Sequence, residues 1–198
     1  NEFAALCTDT VRDINPQISV EHQSSSYPAS WKFGVTVDLR DNTDFLQGDF
    51  YGNELQGAFI CKLLNELTPN KPFSFETSIC RGLGDHTSRK SSELMTVKAY
   101  AALANQGAFI FIDGIDPAGT LNPAVYETMR KVFEETDRYR YEGEGELCSD
   151  IGIYFSTESK FDPLDGGKSA PDASERMPHL DSVLGAVRGC IHGNIPYG

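Results

Sequence analysis

Glu76 closes a short apolar run, Pro72-Phe73-Ser74-Phe75, and leads into a loop that carries Arg81, Asp85 and His86. A carboxylate at a strand end is placed for chemistry, because parallel sheets present their reactive groups at the carboxyl ends of strands. The other strand-end positions hold acids, imidazoles and an aromatic hydroxyl: Glu21, His22, Asp49, Tyr51, His86, Asp113 and Asp116. Cleavage of a glycosidic bond needs that inventory. Two carboxyl groups divide the acid, base and nucleophile work, while ring faces and hydrogen-bonding side chains hold the sugar.

Each candidate also has a plainer reading. Glu76 can be a solvated loop carboxylate, Glu21 a salt-bridged strand end, and Asp49 a turn cap beside a packed Tyr51. Trp31 offers a platform for a sugar face, but core packing is the competing role for its ring. Asp113 and Asp116 can simply organise the loop before Pro117. His22 and His86 titrate near neutral pH and could position or protonate a leaving group. Their spacing does not suit a metal, so neither a metal nor a cofactor is expected.

Alternating strand and helix signals must position these groups. Phe3, Cys7, Val11 and Ile14 predict a helix over 2–14, ended by Asn15-Pro16. A strand at 18–20 runs into Glu21, a short helix falls within 31–41, and a strand over 44–49 ends at Asp49. Leu55, Phe59, Leu63 and Leu67 predict an amphipathic helix, and the strand ending at Glu76 follows it. Ser88 is expected to cap a helix over 89–105 with Leu94, Val97, Ala101 and Leu103 on its apolar face, and Gly107 to terminate it. Ala108–Ile112 reads as a strand buried on both faces. Asn122-Pro123 starts a further helix with Val125, Met129, Val132 and Phe133 inward.

Four β/α units therefore repeat at roughly 30-residue spacing over residues 1–136. Residues 137–150 are polar and punctuated by glycine, a linker pattern. A strand over 151–155, a polar loop over 156–176 and a helix over 177–192 then read as the start of a second α/β domain. The fold class expected is α/β, either half of an eight-stranded barrel or part of an open sheet. The dinucleotide fingerprint, the phosphate loop and the Gly-x-Ser-x-Gly elbow are all missing.

A net charge of −12 argues against nucleic acid and anionic membrane surfaces as partners, and no run of about 18 apolar residues exists to span a bilayer. Five scattered cysteines without close pairs favour free thiols in a reducing, cytoplasmic setting. The first residue is Asn1 rather than methionine, which suggests a processed or excised piece.

Several segments carry a resemblance: Val20-Glu21-His22-Gln23, Gly48-Asp49-Phe50-Tyr51-Gly52, Phe75-Glu76-Thr77-Ser78, Asp85-His86-Thr87, Ala101 to Phe109 and Asp113-Gly114-Ile115-Asp116-Pro117. Together they resemble bacterial glycoside hydrolases with an amylase-like barrel, best the α-L-fucosidases of glycoside hydrolase family 151 and more distantly the family 42 β-galactosidases. The resemblance implies a TIM barrel whose fifth to eighth strands end near Glu21, Asp49, Glu76 and Asp113. It implies Glu76 as the nucleophile of a retaining exo-acting enzyme, with Glu21, His22, Asp49, Tyr51, His86, Trp31 and Asp113 around the sugar. In some fucosidases the nucleophile is instead an aspartate on the fourth strand, and Glu76 would then only shape the site.

The same resemblance implies that the first four strands, with the other catalytic carboxylate, lie outside these residues, so that this chain alone is inactive. Residues 151–198 would open an amidotransferase-like domain that helps such enzymes form homo-oligomers. The function expected is α-L-fucosidase activity on a carbohydrate substrate. A β-galactosidase-like glycosidase and a non-catalytic carbohydrate-binding or assembly module are the alternatives.

Overall fold

The computed structural model describes residues 1–82, 85–115, 118–139, 145–161, 164 and 177–198, the side chains of residues 82 and 85–87 excepted. Helix α1 (Glu2–Ile14) precedes two short 3-10 helices, Trp31–Phe33 and Val37–Asn42. Strand β1 (Gln47–Asp49) leads to α2 (Glu54–Leu67), and β2 (Phe73–Ser78) to a hairpin of β3 (Cys80–Gly82) and β4 (Asp85–Arg89). Helix α3 (Ser92–Ala104), β5 (Gly107–Ile112), α4 (Pro123–Thr136) and α5 (Pro178–Gly193) complete the order.

The sheet is parallel and ordered β1-β2-β5, with a parallel bridge from Gln23 to Gln47 adding a further pass beside β1. Each pass lies beside its neighbour in sequence, so the described strands contain no reversal of order. Residues alternate between the two faces of such a sheet. Leu46, Phe50, Phe73 and Phe75 point to the helices and join Phe59, Ile60 and Leu64 of α2 in the main core. Fully burying a side chain such as Phe73 contributes about 2–3 kcal/mol. Gln47, Asp49, Ser74, Glu76 and Ser78 fall on the opposite face.

The helices begin where side chains satisfy their first amides. Asn53 accepts from Gln56 N–H at 3.1 Å, and Asn122 accepts from Ala124 N–H at 3.0 Å with Pro123 at the first turn. For α3 the cap is Ser91, which accepts from Leu94 N–H at 3.2 Å, and not Ser88. Ser88 is in β4, because the expected loop after Glu76 folds into the β3–β4 hairpin and delays the helix. The buried face of α3 is Met95, Ala99 and Ala102, whereas Leu94 and Val97 are exposed. Small alanines let α3 sit close to its neighbours, which a pattern built on large residues overlooks.

Gly107 does not end α3. Gln106 takes the left-handed turn at φ 62°, and Gly107 opens β5. A Cβ there would meet Phe73 ring carbons at 2.7 and 2.8 Å, so the glycine is needed for the close approach of β5 to β2. Strand β5 is only partly buried beyond Gly107, contrary to the expectation of two covered faces. It stands at the edge of the described sheet, with Phe109 and Phe111 packed against Met95, Ala99 and Val132. On α4, Val125 and Val132 are buried while Phe133 is 46% exposed.

Residues 18–20 form no strand. Val20 instead donates its N–H to Asp44 Oδ2 at 2.6 Å, and its carbonyl accepts from Asp44 N–H at 2.8 Å. Asp44 thus occupies the backbone that a ladder partner would use, and pairing starts only at Gln23. Along 151–155 a single bridge, Ile151 to Tyr197, replaces the expected strand. Val183, Val187, Cys190 and Tyr197 share the main core with α2. Among the described residues no helix is long and apolar enough to cross a membrane.

Candidate functional site

The polar face of the sheet gathers the carboxyl groups. Glu76 lies inside β2, two residues before its end, and in register with Asp49 on one side and Ile110 on the other. Its Oε1 accepts the side-chain amide of Gln47, and Gln23 supplies a second amide hydrogen bond. Burial is the main reason its pKa is raised, and Asp49 adds repulsion; the amides of Gln23 and Gln47 pull it back down. The two amides favour the charged carboxylate without neutralising it.

Glu21 lies two residues before Gln23. Desolvation and the nearby Glu76 charge raise its pKa to about 7, and its Oε1 is buried without a hydrogen-bond partner among the described residues. A carboxyl in that position keeps its proton through much of the neutral range. The pair therefore has divided tasks available: Glu76 gripped by donors, Glu21 deprived of them.

Asp49 is followed by Tyr51, whose hydroxyl donates to the Asp49 carboxylate; burial first, then that bond, raises the tyrosine's pKa. The Tyr51 ring lies 5.8 Å from Lys90 Nζ, and Lys90 donates to Ser78 O at 2.6 Å. Asp113 follows β5. Its Oδ1 accepts from Cys80 Sγ at 3.6 Å, and its Oδ2 is buried without a partner among the described residues.

Two of the expected residues, His22 and Trp31, are not gathered with these carboxylates. His22 Nε2 is 2.8 Å from Thr8 Oγ1. Because the Thr8 proton is given to Asn42 O at 2.7 Å, Nε2–H is the donor, and the imidazole ties α1 to the sheet edge. Trp31 packs its ring on Phe161, with centroids 5.7 Å apart. The side chain of His86 lies outside the described residues, as does Asp116; the His86 backbone is in β4 rather than in a loop.

Gln23 and Gln47 were not singled out from sequence. The available signal was the two-residue period: Gln47 precedes Asp49 by two, and Gln23 follows Glu21 by two, so each shares a face with an acid. Among the described residues no group of three or more His, Cys, Asp or Glu is arranged to hold a metal ion.

Compared as a sequence, the chain matches no family model and no curated protein. Compared as a structure, it is similar to α-L-fucosidase isoenzyme 2 from Paenibacillus thiaminolyticus, with a TM-score of 0.70 at 16% identity. The chain has a fucosidase-like fold. The match covers 99% of this chain and 28% of the fucosidase, so the chain spans little more than a quarter of that protein's length. At this identity the likeness is one of fold.

Proposed function

We propose that the chain is part of a glycoside hydrolase, a retaining exo-acting α-L-fucosidase in which Glu76 is the nucleophile. The observation that carries this reading is the contrast between Glu76, held by the Gln23 and Gln47 amides, and the adjoining Glu21 carboxyl with its pKa of about 7. Glu76 attacks the anomeric carbon and forms a covalent glycosyl-enzyme as the leaving oxygen departs. A second carboxylic acid protonates that oxygen, and water then releases the sugar. Below about pH 7 Glu21 carries its own proton beside Glu76, which spares the site a second buried negative charge. The acid that meets the leaving group belongs to the fourth strand, as the family resemblance implies. Asp49, Tyr51 and Asp113 border the same strand ends and are assigned to the sugar hydroxyls.

The strand order Gln23-β1-β2-β5 supports the reading of these passes as the last four β/α units of a TIM barrel. The remainder of such a barrel would cover both sheet edges. Hydrolysis of nitrophenyl α-L-fucoside and nitrophenyl β-galactoside by the intact protein tests the proposal. Fucoside is the expected substrate, and Glu76→Gln is expected to lower its turnover at least about a hundredfold. Preference for the galactoside, or a Glu76→Gln enzyme within about tenfold of wild type, would overturn the assignment.

A further inference from the structure

On the helix side of the sheet, between α2 and α3, lies a cavity of about 450 Å³. Its walls include Phe75 of β2, Cys61 of α2, and Leu94 and Val97 of α3, while Lys90 and Lys98 reach into it. That size is within the range of small-molecule sites, and its lining is apolar apart from a few polar groups. The apolar side chains left uncovered on α3 thus have a place in a cavity wall.

The two amines are the unusual feature. Lys98 Nζ donates to Gly52 O at 3.2 Å and stands 5.8 Å from the Phe75 ring centroid. Lys90 Nζ donates to Ser78 O. Each ammonium has three protons to give, yet among the described residues each has one hydrogen-bond acceptor. Neither has a carboxylate within 4.0 Å among those residues. Burial disfavours both charges, and the Lys98 charge further disfavours that of Lys90, so the amines are close enough to repel; Glu54, also in the cavity wall, offsets part of the cost for Lys98 without pairing with it. Cys61 adds no anion, because burial pushes its thiol up to about 12. Two half-buried cations on an apolar floor are an arrangement that a single anion would relieve.

We propose that this cavity binds a small organic anion, a carboxylate carried on an apolar body, with Lys98 and Lys90 holding the charge and Phe75, Leu94 and Val97 the body. The anion would sit on the side of β2 away from Glu76, since Phe75 and Glu76 point to opposite sides of the strand, and Tyr51, which also lines the cavity, stands between the two sites.

Calorimetric titration of the intact protein with octanoate tests it, with octanamide as the uncharged twin and inorganic phosphate as the bare anion. Octanoate is expected to bind, with octanamide and phosphate each weaker by about tenfold or more. Lys98→Met is expected to weaken octanoate by at least about tenfold. Lys90→Met serves the same purpose if the first variant fails to fold. Octanamide or phosphate binding as tightly as octanoate would overturn the proposal. So would unchanged octanoate affinity in a folded variant, or no octanoate binding up to about 10 mM.

Discussion

Gln47 donates its side-chain amide to Glu76 across the β1–β2 ladder, although Gln47 itself stands in register with Ser74, two residues earlier. The amide reaches up one step of the polar face to meet the carboxylate. That reach makes Gln47 a positioning residue: it orients Glu76 and favours its ionised form.

Replacing Gln47 by methionine removes the donor and keeps the length. Glu76 then holds its proton to higher pH, because a bond that lowered its pKa is gone. The acidic limb of the kcat/KM profile on nitrophenyl fucoside is expected to move to higher pH. A Gln47→Met enzyme with an unmoved acidic limb would detach Gln47 from the chemistry.

Glu21 makes a prediction about stability. Its carboxyl has an ordinary pKa of 4.5 and one of about 7 in the fold, so the native state binds the proton more tightly than the unfolded chain. Its contribution to stability is therefore full below about pH 4.5 and is lost as pH rises through about 7. Glu21→Gln abolishes that loss. Because Glu21 is only half buried, solvent screening reduces the effect, and the variant is expected to melt about 2–4 °C above wild type at pH 8. At pH 4.5 the two should melt together. Equal melting temperatures at pH 8 would show that Glu21 is not held protonated by its surroundings.

Gly107→Ala places a methyl group against the Phe73 ring at the β2–β5 junction. Phe73 is fully buried and has no free space to retreat into. The expected cost is about 1–3 kcal/mol in urea unfolding, with an unchanged slope. A neutral result would mean that Phe73 moves aside and that the β2–β5 approach is looser than described.

Much of this architecture was legible in the sequence. Glu2–Ile14, Glu54–Leu67 and Pro123–Thr136 were readable from helical period and stop signals, and the three strands of the sheet from short apolar runs. Local pattern misled where a tertiary partner decided the outcome. Asp44 captures the Val20 backbone in place of a strand, and the β3–β4 hairpin takes Ser88 from α3. Glu76, Glu21 and Asp49 could be picked out as candidate acids, although only Asp49 ends a strand: Glu76 lies inside β2 and no strand precedes Glu21. His22 could not be excluded from them, because its alignment with Thr8 depends on how α1 packs. The amides that make Glu76 distinctive come from Gln23 and Gln47, residues with no reactivity of their own to draw notice.

The role of Glu76 is tested most directly by trapping. Incubating the intact protein with a 2-deoxy-2-fluoro fucosyl donor slows release of the glycosyl-enzyme, and peptide mass mapping then locates the bound sugar. A single label is expected on Glu76, lost in Glu76→Gln. A label on any other carboxylate, or turnover with no covalent species, would contradict that role.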